Sequence, residues 1–446
     1  MATHQLSRFW THTVLSAAHN EPAILHAMLA LCGTHRAYCE NRSAVANAVS
    51  TPFTTAAYAH YDKAVRCLWE RIARTGFEEL QVVLIVCLVL LTFDLIEGRY
   101  GEALIHLNHG RQILRQLHSS KVSGKDTTSL VLPQKAQSTL DEISYSFALM
   151  DIQSVYFGSQ KPEFKLANSP GADETVGFNI PPYFSTFDDA WHSMLLLTNE
   201  VYHFGSTIRK PEIAYSSYDP MLGFWQGRLL ATLRQWREAF DSSPFRTATS
   251  SSATSSNSAA SARHTSLRLS HAYLTILVCT GLKLGDEMAY DPLLPQFSTV
   301  VALCEQLVST LPSISLDAGV IPALFITCCF CRHPDLRRRA IRVLSRTGKE
   351  GHWDGKQIEM VSREKMILEE EDAGYIYDAE HPVPEDADLA EIIPREARWS
   401  ESWVFFVSED YTTVQLAFKR RKRTADGRVI PGDDGYEVKT KLVKIA

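Results

Sequence analysis

Residues 315–371 contain the local signals of three consecutive helices: SLDAGVIPALFITCCFCRHPDLRRRAIRVLSRTGKEGHWDGKQIEMVSREKMILEEE. Val320–Cys331 is an apolar run, long enough for a buried helix. Pro334 can begin a second helix, because the first N–H group of a helix needs no partner. Apolar residues recur after it at helical spacing, while Arg338, Arg342 and Arg346 form a separate stripe. We therefore expect an amphipathic second helix with an arginine-bearing side.

The signals between the second and third helices are equally distinct. Gly348 and Gly351 indicate an interruption of the helical pattern. Asp354, with Gln357 three residues later, predicts the N-cap of the third helix. Trp353 lies at this joint, where we expect it to be a buried apolar contact between the two helices.

The composition indicates a globular protein with a sizeable core. The chain has 446 residues, of which 45% are hydrophobic and 22% charged, and its formal net charge is −6. A DNA-binding domain is usually basic, so this charge gives no general attraction to nucleic acid. The N-terminal residues lack the apolar segment of a signal peptide. The longest uninterrupted apolar run, Val82–Leu91, is too short to span a bilayer and indicates a fully buried helix, so we expect no membrane partner.

The rest of the chain predicts an all-α fold, in which a large domain is built from antiparallel helix hairpins. A Thr51-Pro52 pair opens one helix that Gly76 ends. The other predicted helices are 21–40, 80–96, 100–117, 137–157, 184–204, 221–240, 266–284 and 300–311.

Composition also divides the chain into regions. We expect a helical domain over residues 1–375 that contains a disordered Ser/Ala/Thr-rich loop at 242–266, because such a segment buries too little apolar surface to offset its chain entropy. Residues 376–446 begin with an acidic connector. They continue with alternating and β-branched segments, which predict a small C-terminal β appendage.

Five segments, in order, resemble the regulatory domain of the fungal zinc-cluster transcription factors, whose DNA reader is a module of six cysteines around two zinc ions. They are Phe9-Trp10 with EPAILHAMLALCGTHRAY, AAYAHYDKAVRCLWERI, VVLIVCLVLLTFDLIEGRYGEALIHLNHGRQIL, ISYSFALMDIQSVYFG, and CRHPDLRRRAIRVL with KEGHWD. The residues that carry the last signature are Arg332, Pro334, Arg338, Gly351 and Trp353. The resemblance implies a helical regulatory domain with no catalytic activity.

The chain departs from that family because the zinc cluster is absent. Its nine cysteines are Cys32, Cys39, Cys67, Cys87, Cys279, Cys304, Cys328, Cys329 and Cys331. Cys328 and Cys331 form the only C-x2-C pair, whereas each tetrahedral zinc needs four ligands. We expect this chain to begin after the position of the missing module, and to have no direct sequence-specific DNA binding. An upstream exon with six cysteines would distinguish a truncated chain from a stand-alone relative.

No catalytic, cofactor-binding or metal-binding residues are predicted. Cys328, Cys329, Cys331 and His333 lie at the end of an apolar helix and are interpreted as core residues. Cys32, His35 and Cys39 share a helix face without an evident fourth ligand, and His106 and His109 lack the glutamate of a metalloprotease motif. Packing is the preferred interpretation of both groups.

Two groups of basic residues have alternative interpretations. The run Lys419, Arg420, Arg421, Lys422 and Arg423 is either a nuclear localisation signal or a charged strand edge, and the family resemblance favours the signal. The six arginines near the signature are either a phosphate-binding face or, as we prefer, a solvated face with some arginines paired to carboxylates. They are Arg332, Arg337, Arg338, Arg339, Arg342 and Arg346.

The sequence thus favours a non-enzymatic, nuclear regulatory protein. Its expected partners are the transcription machinery or another regulator, and a homodimer and a small-molecule effector are both compatible with this interpretation. Related regulators often control metabolic or secondary-metabolite gene clusters. The alternative is a helical small-molecule-binding protein or an enzyme without a recognisable motif. A core pocket with converging titratable groups would favour the enzyme, and a pocket lined by apolar residues would favour ligand sensing.

Overall fold

The computed structural model describes residues 8–43, 52–75, 80–119, 129–156, 158–167, 179–209, 219–245, 255–283, 285–406, 413–422, 424, 430 and 435–444. This part of the chain is mostly helical and carries small sheets, one of them at the C-terminus. The predicted fold class, a large helical domain with a small C-terminal β region, is therefore confirmed.

Helices in the first part of the chain pack around one very apolar helix. They are α1 (Val14–Asn20), α2 (Pro22–Ser43), α3 (Pro52–Thr75), α4 (Leu80–Glu97) and α5 (Tyr100–Ser119). The whole of Leu84–Ile96 in α4 is buried, and α2, α3 and α5 contact it. Burial on every side explains why α4 has no polar face.

Helix α4 is long and apolar enough by itself to cross a membrane, with a mean hydropathy of 2.4 over 18 residues. The run Val82–Leu91 alone is too short to span a bilayer, as expected, but the helix that contains it is longer because it extends beyond the run at both ends. The predicted burial is confirmed, since 72% of the helix lies inside the protein, as in the core helix of a soluble domain.

The middle of the domain is formed by longer helices joined through short strands. The elements are β1 (Ser129–Val131), α6 (Thr139–Gln153), β2 (Lys165–Ala167), α7 (Phe187–Ile208), α8 (Pro220–Asp241) and α9 (Ser255–Thr280). Strands β1 and β2 pair in parallel. Capping boxes begin α6 and α7, where Ser138 and Thr186 accept the N–H groups of Asp141 and Asp189. These caps satisfy backbone donors that the helix itself leaves unpaired.

Helix α9 corrects the disordered loop predicted for residues 242–266. The helix starts at Ser255, so the second half of that segment is helical, whereas residues 246–254 lie outside the described part. Alanine favours helix, and Ala262 and Thr265 are buried against neighbouring helices. Tertiary packing thus supplies the apolar contacts that the local composition appeared to lack.

The signature segment forms the last helical layer. It contains α10 (Leu294–Leu307), β3 (Ile314–Ser315), α11 (Val320–Phe330), α12 (Pro334–Leu344), β4 (Lys349–Glu350), β5 (Trp353–Asp354) and α13 (Gly355–Ala373). The three helices predicted from residues 315–371 correspond to α11, α12 and α13. Pro334 occupies the first turn of α12, and Asp354 Oδ1 caps α13 by accepting the N–H groups of Lys356 and Gln357.

A three-stranded antiparallel sheet completes the described chain after a short helix, α14 (Leu389–Ile392). Its strands are β6 (Glu401–Phe406), β7 (Thr413–Arg421) and β8 (Tyr436–Lys444), with β7 in the centre. Val414, Leu416 and Phe418 of β7 pack with Trp399 and with Val361 of α13. The sheet therefore shares a core with the last long helix. The division of the chain at residue 375 stays a prediction.

Candidate functional site

A partly enclosed cavity lies where α6, α7, α9 and the segment before α11 meet. Its volume is about 160 Å³. Its lining is mainly apolar and aromatic, with residues from all four elements. The apolar and aromatic contributors include Leu149, Ile152, Tyr156, Phe187, Trp191, Met194, Leu195, Tyr202, Leu267, Tyr273, Leu274, Leu311 and Val320.

Three tyrosines supply the main polar feature of this cavity. The hydroxyl oxygens of Tyr156 and Tyr273 are 2.6 Å apart, and those of Tyr202 and Tyr273 are 3.4 Å apart. Burial raises the pKa of Tyr273 to about 12, so its hydroxyl group remains a protonated donor. Three hydroxyl groups hold three protons but share only two hydrogen bonds, which leaves one O–H donor for another acceptor.

Gln153 connects the cavity with the signature segment. Its side chain is buried, and its Nε2 donates to the carbonyl oxygen of Leu316 at 2.9 Å. Its Oε1 has no hydrogen-bond partner among the described residues. A Cβ atom at Gly351 would come within 2.9 Å of that oxygen, and Gly351 has a φ of 57°. Glycine is thus needed at position 351 for both its backbone conformation and the close approach of Gln153.

The KEGHWD segment, residues 349–354, ties the two halves of the helical domain together. Lys349 Nζ donates to the carbonyl oxygen of Ile96 at 2.7 Å, at the end of α4. The Glu350 carboxylate accepts the N–H groups of Gly319, Val320 and Ile321 at 2.9–3.1 Å, which are the donors at the start of α11. One fully buried carboxylate therefore satisfies the positive end of that helix.

The two aromatic residues of this segment pack onto the cavity wall. The ring of His352 stacks on Tyr156, with centroids 5.6 Å apart. Burial, with a smaller contribution from Lys349, lowers the pKa of His352 to about 3, so the stacked ring is neutral. Trp353 is half-buried and contacts the rings of Tyr156 and Phe325. The predicted packing of Trp353 at the joint is thus present, although the side chain is not fully enclosed.

The signature arginines form a buried ion cluster with α13. Arg332 and Arg337 are almost completely buried, and both donate to Glu369, at 2.9 and 2.8 Å. Arg332 also donates to Glu287 at 3.0 Å, and Glu369 accepts the backbone N–H of Trp399 at 2.8 Å. Burial raises the pKa of Glu369, but the cations of Arg332, Arg337 and Lys365 outweigh it and lower the pKa to about 2. This carboxylate remains charged within the core.

The solvated arginine face is therefore a wrong prediction for Arg332 and Arg337. The preferred interpretation, a solvated face with some arginines paired to carboxylates, is correct for the arginines that follow, because Arg338 makes two hydrogen bonds of 2.7 Å to Glu370. In addition, Arg339 pairs with Glu305, while Arg342 and Arg346 are exposed. The buried pairs leave few of the six guanidinium groups for phosphate. No local pattern indicates this burial, since Glu369 lies more than thirty positions after Arg332.

The cysteines next to this cluster lie in the core, as the packing interpretation predicted. Cys328, Cys329 and Cys331 are buried, and burial raises the pKa of each thiol. His333 is also buried, and its Nδ1 accepts the N–H of Leu336 at the start of α12. By contrast, Cys32 is exposed and shares a surface groove with His35 and Cys39.

Most of the predicted localisation signal lies in the C-terminal sheet. Lys419, Arg420 and Arg421 belong to the central strand β7, Lys422 follows it, and Arg423 lies outside the described residues. Arg420 Nε donates to Glu437 at 2.7 Å, and the Arg421 guanidinium lies 3.7 Å from the ring centroid of Tyr436. These contacts join the end of β7 to the neighbouring strand β8, and use of the run as a signal stays a prediction.

A second cluster of titratable groups, which the sequence analysis missed, lies between α3, α4 and α5. His106 Nε2 is 2.8 Å from the Tyr61 hydroxyl and 3.5 Å from Asp94 Oδ2. Burial raises the pKa of Asp94 to about 7, although Arg99 opposes that shift. None of these residues lines the cavity. The contacts of His106 with Tyr61 and Asp94 agree with the preferred structural role of this histidine. The cavity, by contrast, has a mainly apolar lining.

Replacing Glu369 with Gln should destabilise the protein strongly. The variant keeps the side-chain shape but removes the charge shared by two buried arginines, which typically costs about 3–5 kcal/mol of unfolding free energy. Glu305→Gln breaks an exposed pair with Arg339 and should cost under about 1 kcal/mol. Urea denaturation measures both values, and equal losses would contradict the role of the cluster.

Because the pKa of Glu369 is lowered from 4.5 to about 2, its contribution to stability is complete above pH 4.5 and is lost toward pH 2. The wild type should therefore lose stability more steeply than Glu369→Gln over this interval.

Trp353→Ala should lower the unfolding free energy by about 2–4 kcal/mol, below the full cost for an enclosed tryptophan because the side chain is half-buried. Trp69→Ala is the matched control, since Trp69 is 68% exposed and its loss should cost about 0.5 kcal/mol or less. Thermal melts compare the two variants. Similar melting curves would show that Trp353 does not connect the signature segment to the core.

Comparison with known proteins agrees with this architecture. The family described as the fungal specific transcription factor domain matches residues 2–362, which is most of the chain and includes the helices around the cavity and the whole KEGHWD segment. Neither the curated proteins nor the solved structures gave a match. Such transcription factor domains are generally non-enzymatic, and they imply a nuclear function. The chain belongs to the fungal specific transcription factor domain family.

Proposed function

We propose that this protein is a transcription regulator whose helical domain responds to a small molecule bound in the cavity between α6, α7 and α9. The cavity is the observation that carries the proposal. It combines an apolar and aromatic lining with a small number of polar groups, which is the usual composition of a small-molecule site. A metabolite bound there would contact three helices and the segment that leads into α11.

The lining argues for sensing rather than catalysis. Its carboxylates are those of Glu350 and Asp317. Glu350 is engaged by three backbone N–H groups, so it is a structural helix cap rather than a free general base. Burial raises the pKa values of Tyr156 and Tyr273, whose hydroxyl groups act as hydrogen-bond donors. This arrangement can orient a ligand through the tyrosine hydroxyl groups, while the Glu350 carboxylate stays occupied by the start of α11.

The segment before α11 provides a route from the cavity to the surface. Asp317, Ala318 and Gly319 line the cavity, while Ile314 and Leu316 line an adjoining surface groove with Trp10. A ligand that displaces this short segment would change the shape of the groove. We propose that the groove side of the domain transmits the signal to the transcription machinery or to another regulator, and that the protein reaches DNA through such a partner or as part of a homodimer.

The same reasoning suggests the kind of gene that is controlled. A regulator that senses a small metabolite is suited to a metabolic or secondary-metabolite gene cluster, whose products or precursors can report on the pathway. The chain contains no zinc cluster, so we propose that it makes no sequence-specific contact with DNA by itself.

A reporter assay tests this proposal. The chain is fused to a DNA-binding module from another protein, and expression of a reporter gene is measured in a fungal host. Ser270→Leu places a larger side chain in the cavity wall on α9 and should change reporter output by several-fold. Ser261→Leu makes the same substitution at an exposed position of the same helix and should have no effect. Equal output from wild type and both variants, at equal protein levels, would contradict regulation through the cavity.

Nuclear residence provides a separate test of the basic run. Replacing Arg420, Arg421 and Lys422 with Ala should move a fluorescent fusion from nucleus to cytoplasm, because a 50.1 kDa protein enters the nucleus slowly without an import signal. The control replaces three lysines of the neighbouring strand β8, which are Lys439, Lys441 and Lys444. Thermal melts of both variants show whether the sheet survives. Nuclear retention of the first variant would show that the run has only a structural role in the sheet and is not the import signal.

A further inference from the structure

We infer that the cavity takes an uncharged molecule built on one six-membered aromatic ring that carries a single oxygen substituent, of the size and polarity of a phenol. This inference rests on the proposed function, because it specifies the ligand of the same cavity. It follows from the volume of the cavity, from its walls, from its unused hydrogen-bond donor and from its charges.

The volume limits the ligand to about one ring. The cavity measures about 160 Å³. An engineered apolar cavity of about 150 Å³ in another protein binds benzene. A ring with one or two small substituents therefore fills the enclosed part of the site.

The walls favour an aromatic ring over an alkyl group of equal volume. Trp191 and Tyr202 of α7, Tyr156 after α6 and Tyr273 of α9 all line the cavity. The rings of Tyr156 and Tyr202 already meet edge to face, with centroids 5.6 Å apart and planes at 87°. Aromatic rings attract one another in such edge-to-face and offset arrangements, beyond the effect of the buried area.

The tyrosine hydroxyl groups require an oxygen on the ligand. Tyr156, Tyr202 and Tyr273 share two hydrogen bonds, so one O–H group has no acceptor among the three. A ligand hydroxyl group accepts that bond and can donate to another tyrosine oxygen. A hydrocarbon of the same shape leaves the donor unpaired, which should weaken binding about tenfold.

The charges exclude an anionic ligand. Glu350 and Asp317 place two carboxylates in the lining. The cation of the lining, Arg263, is bound to Asp188 at 2.8 Å and lies 4.2 Å from the ring centroid of Phe187. A ligand carboxylate would lose its hydration beside two carboxyl groups, and the lining cation Arg263 already has its charge paired with that of Asp188. The uncharged phenol avoids this cost.

Ligand-observed fluorine NMR of the full chain with 4-fluorophenol, 4-fluorotoluene and 4-fluorobenzoate tests the inference. We expect 4-fluorophenol to bind, 4-fluorotoluene to bind about tenfold more weakly, and 4-fluorobenzoate not to bind at about 1 mM. Ser270→Leu should abolish binding of the phenol. Equal affinities, preference for the benzoate, or no binding of any probe would overturn the ligand class.

Tyrosine variants assign the oxygen preference to the hydroxyl groups. The triple variant Tyr156→Phe, Tyr202→Phe and Tyr273→Phe keeps the rings but removes every hydroxyl group of the set, so the preference for 4-fluorophenol over 4-fluorotoluene should disappear. Tyr100→Phe removes a hydroxyl group that bonds His352 outside the cavity and should leave the preference unchanged. A preference that persists in the triple variant overturns the assignment. A reporter that still responds to Ser270→Leu when no probe binds would reject the phenol class and leave the proposed regulation intact.

Discussion

The constraint on which this structure depends is the burial of one charged carboxylate, that of Glu369. Removing a carboxylate from water costs several kcal/mol, and this cost is offset only when opposite charges and N–H donors surround it closely. Arg332 and Arg337 provide the charges, and the backbone N–H of Trp399 provides a further bond. Because these partners belong to the start of α12 and to the segment before the C-terminal sheet, one group fixes α12, α13 and the sheet relative to one another. Arg332 and Arg337, on either side of Pro334, are thus needed for packing.

The KEGHWD segment solves a second problem, the joining of two helical layers. A short turn can do this because each of its side chains has a different task. Lys349 donates to a carbonyl oxygen at the end of α4, Glu350 accepts N–H groups at the start of α11, and Asp354 caps the start of α13. Gly351 adopts a left-handed backbone conformation beside Gln153, where any other residue would be strained. The cavity lies next to this joint, and Glu350 of the turn belongs to its lining.

The cavity gives the domain a place at which a small molecule can act on several elements together. Its tyrosines come from three different parts of the chain, so the proposed ligand, by engaging Tyr156, Tyr202 and Tyr273, would stabilise one arrangement of the end of α6, α7 and α9. A ligand shifts a conformational equilibrium only through such differential contacts. The wall formed by Asp317–Gly319 would be most directly affected by such a ligand, since it is short, lines the cavity and carries the Gly319 N–H that Glu350 accepts.

The sequence by itself determined most of the helices, the starts of α12 and α13, and the family, because those depend on local signals such as Pro334, Asp354 and the apolar run of α4. It also identified the cysteines near Cys328 as core residues, since an apolar helix buries whatever thiols it carries. Only the tertiary structure decided that Arg332 is enclosed by Glu287 and Glu369, and that the Ala-rich start of α9 packs as a helix. The cavity could not be predicted either, because Tyr156 precedes Tyr202 by 46 positions and Tyr202 precedes Tyr273 by 71 positions. Hydrogen bonds over such separations follow from how helices meet, and no local pattern of residues encodes them.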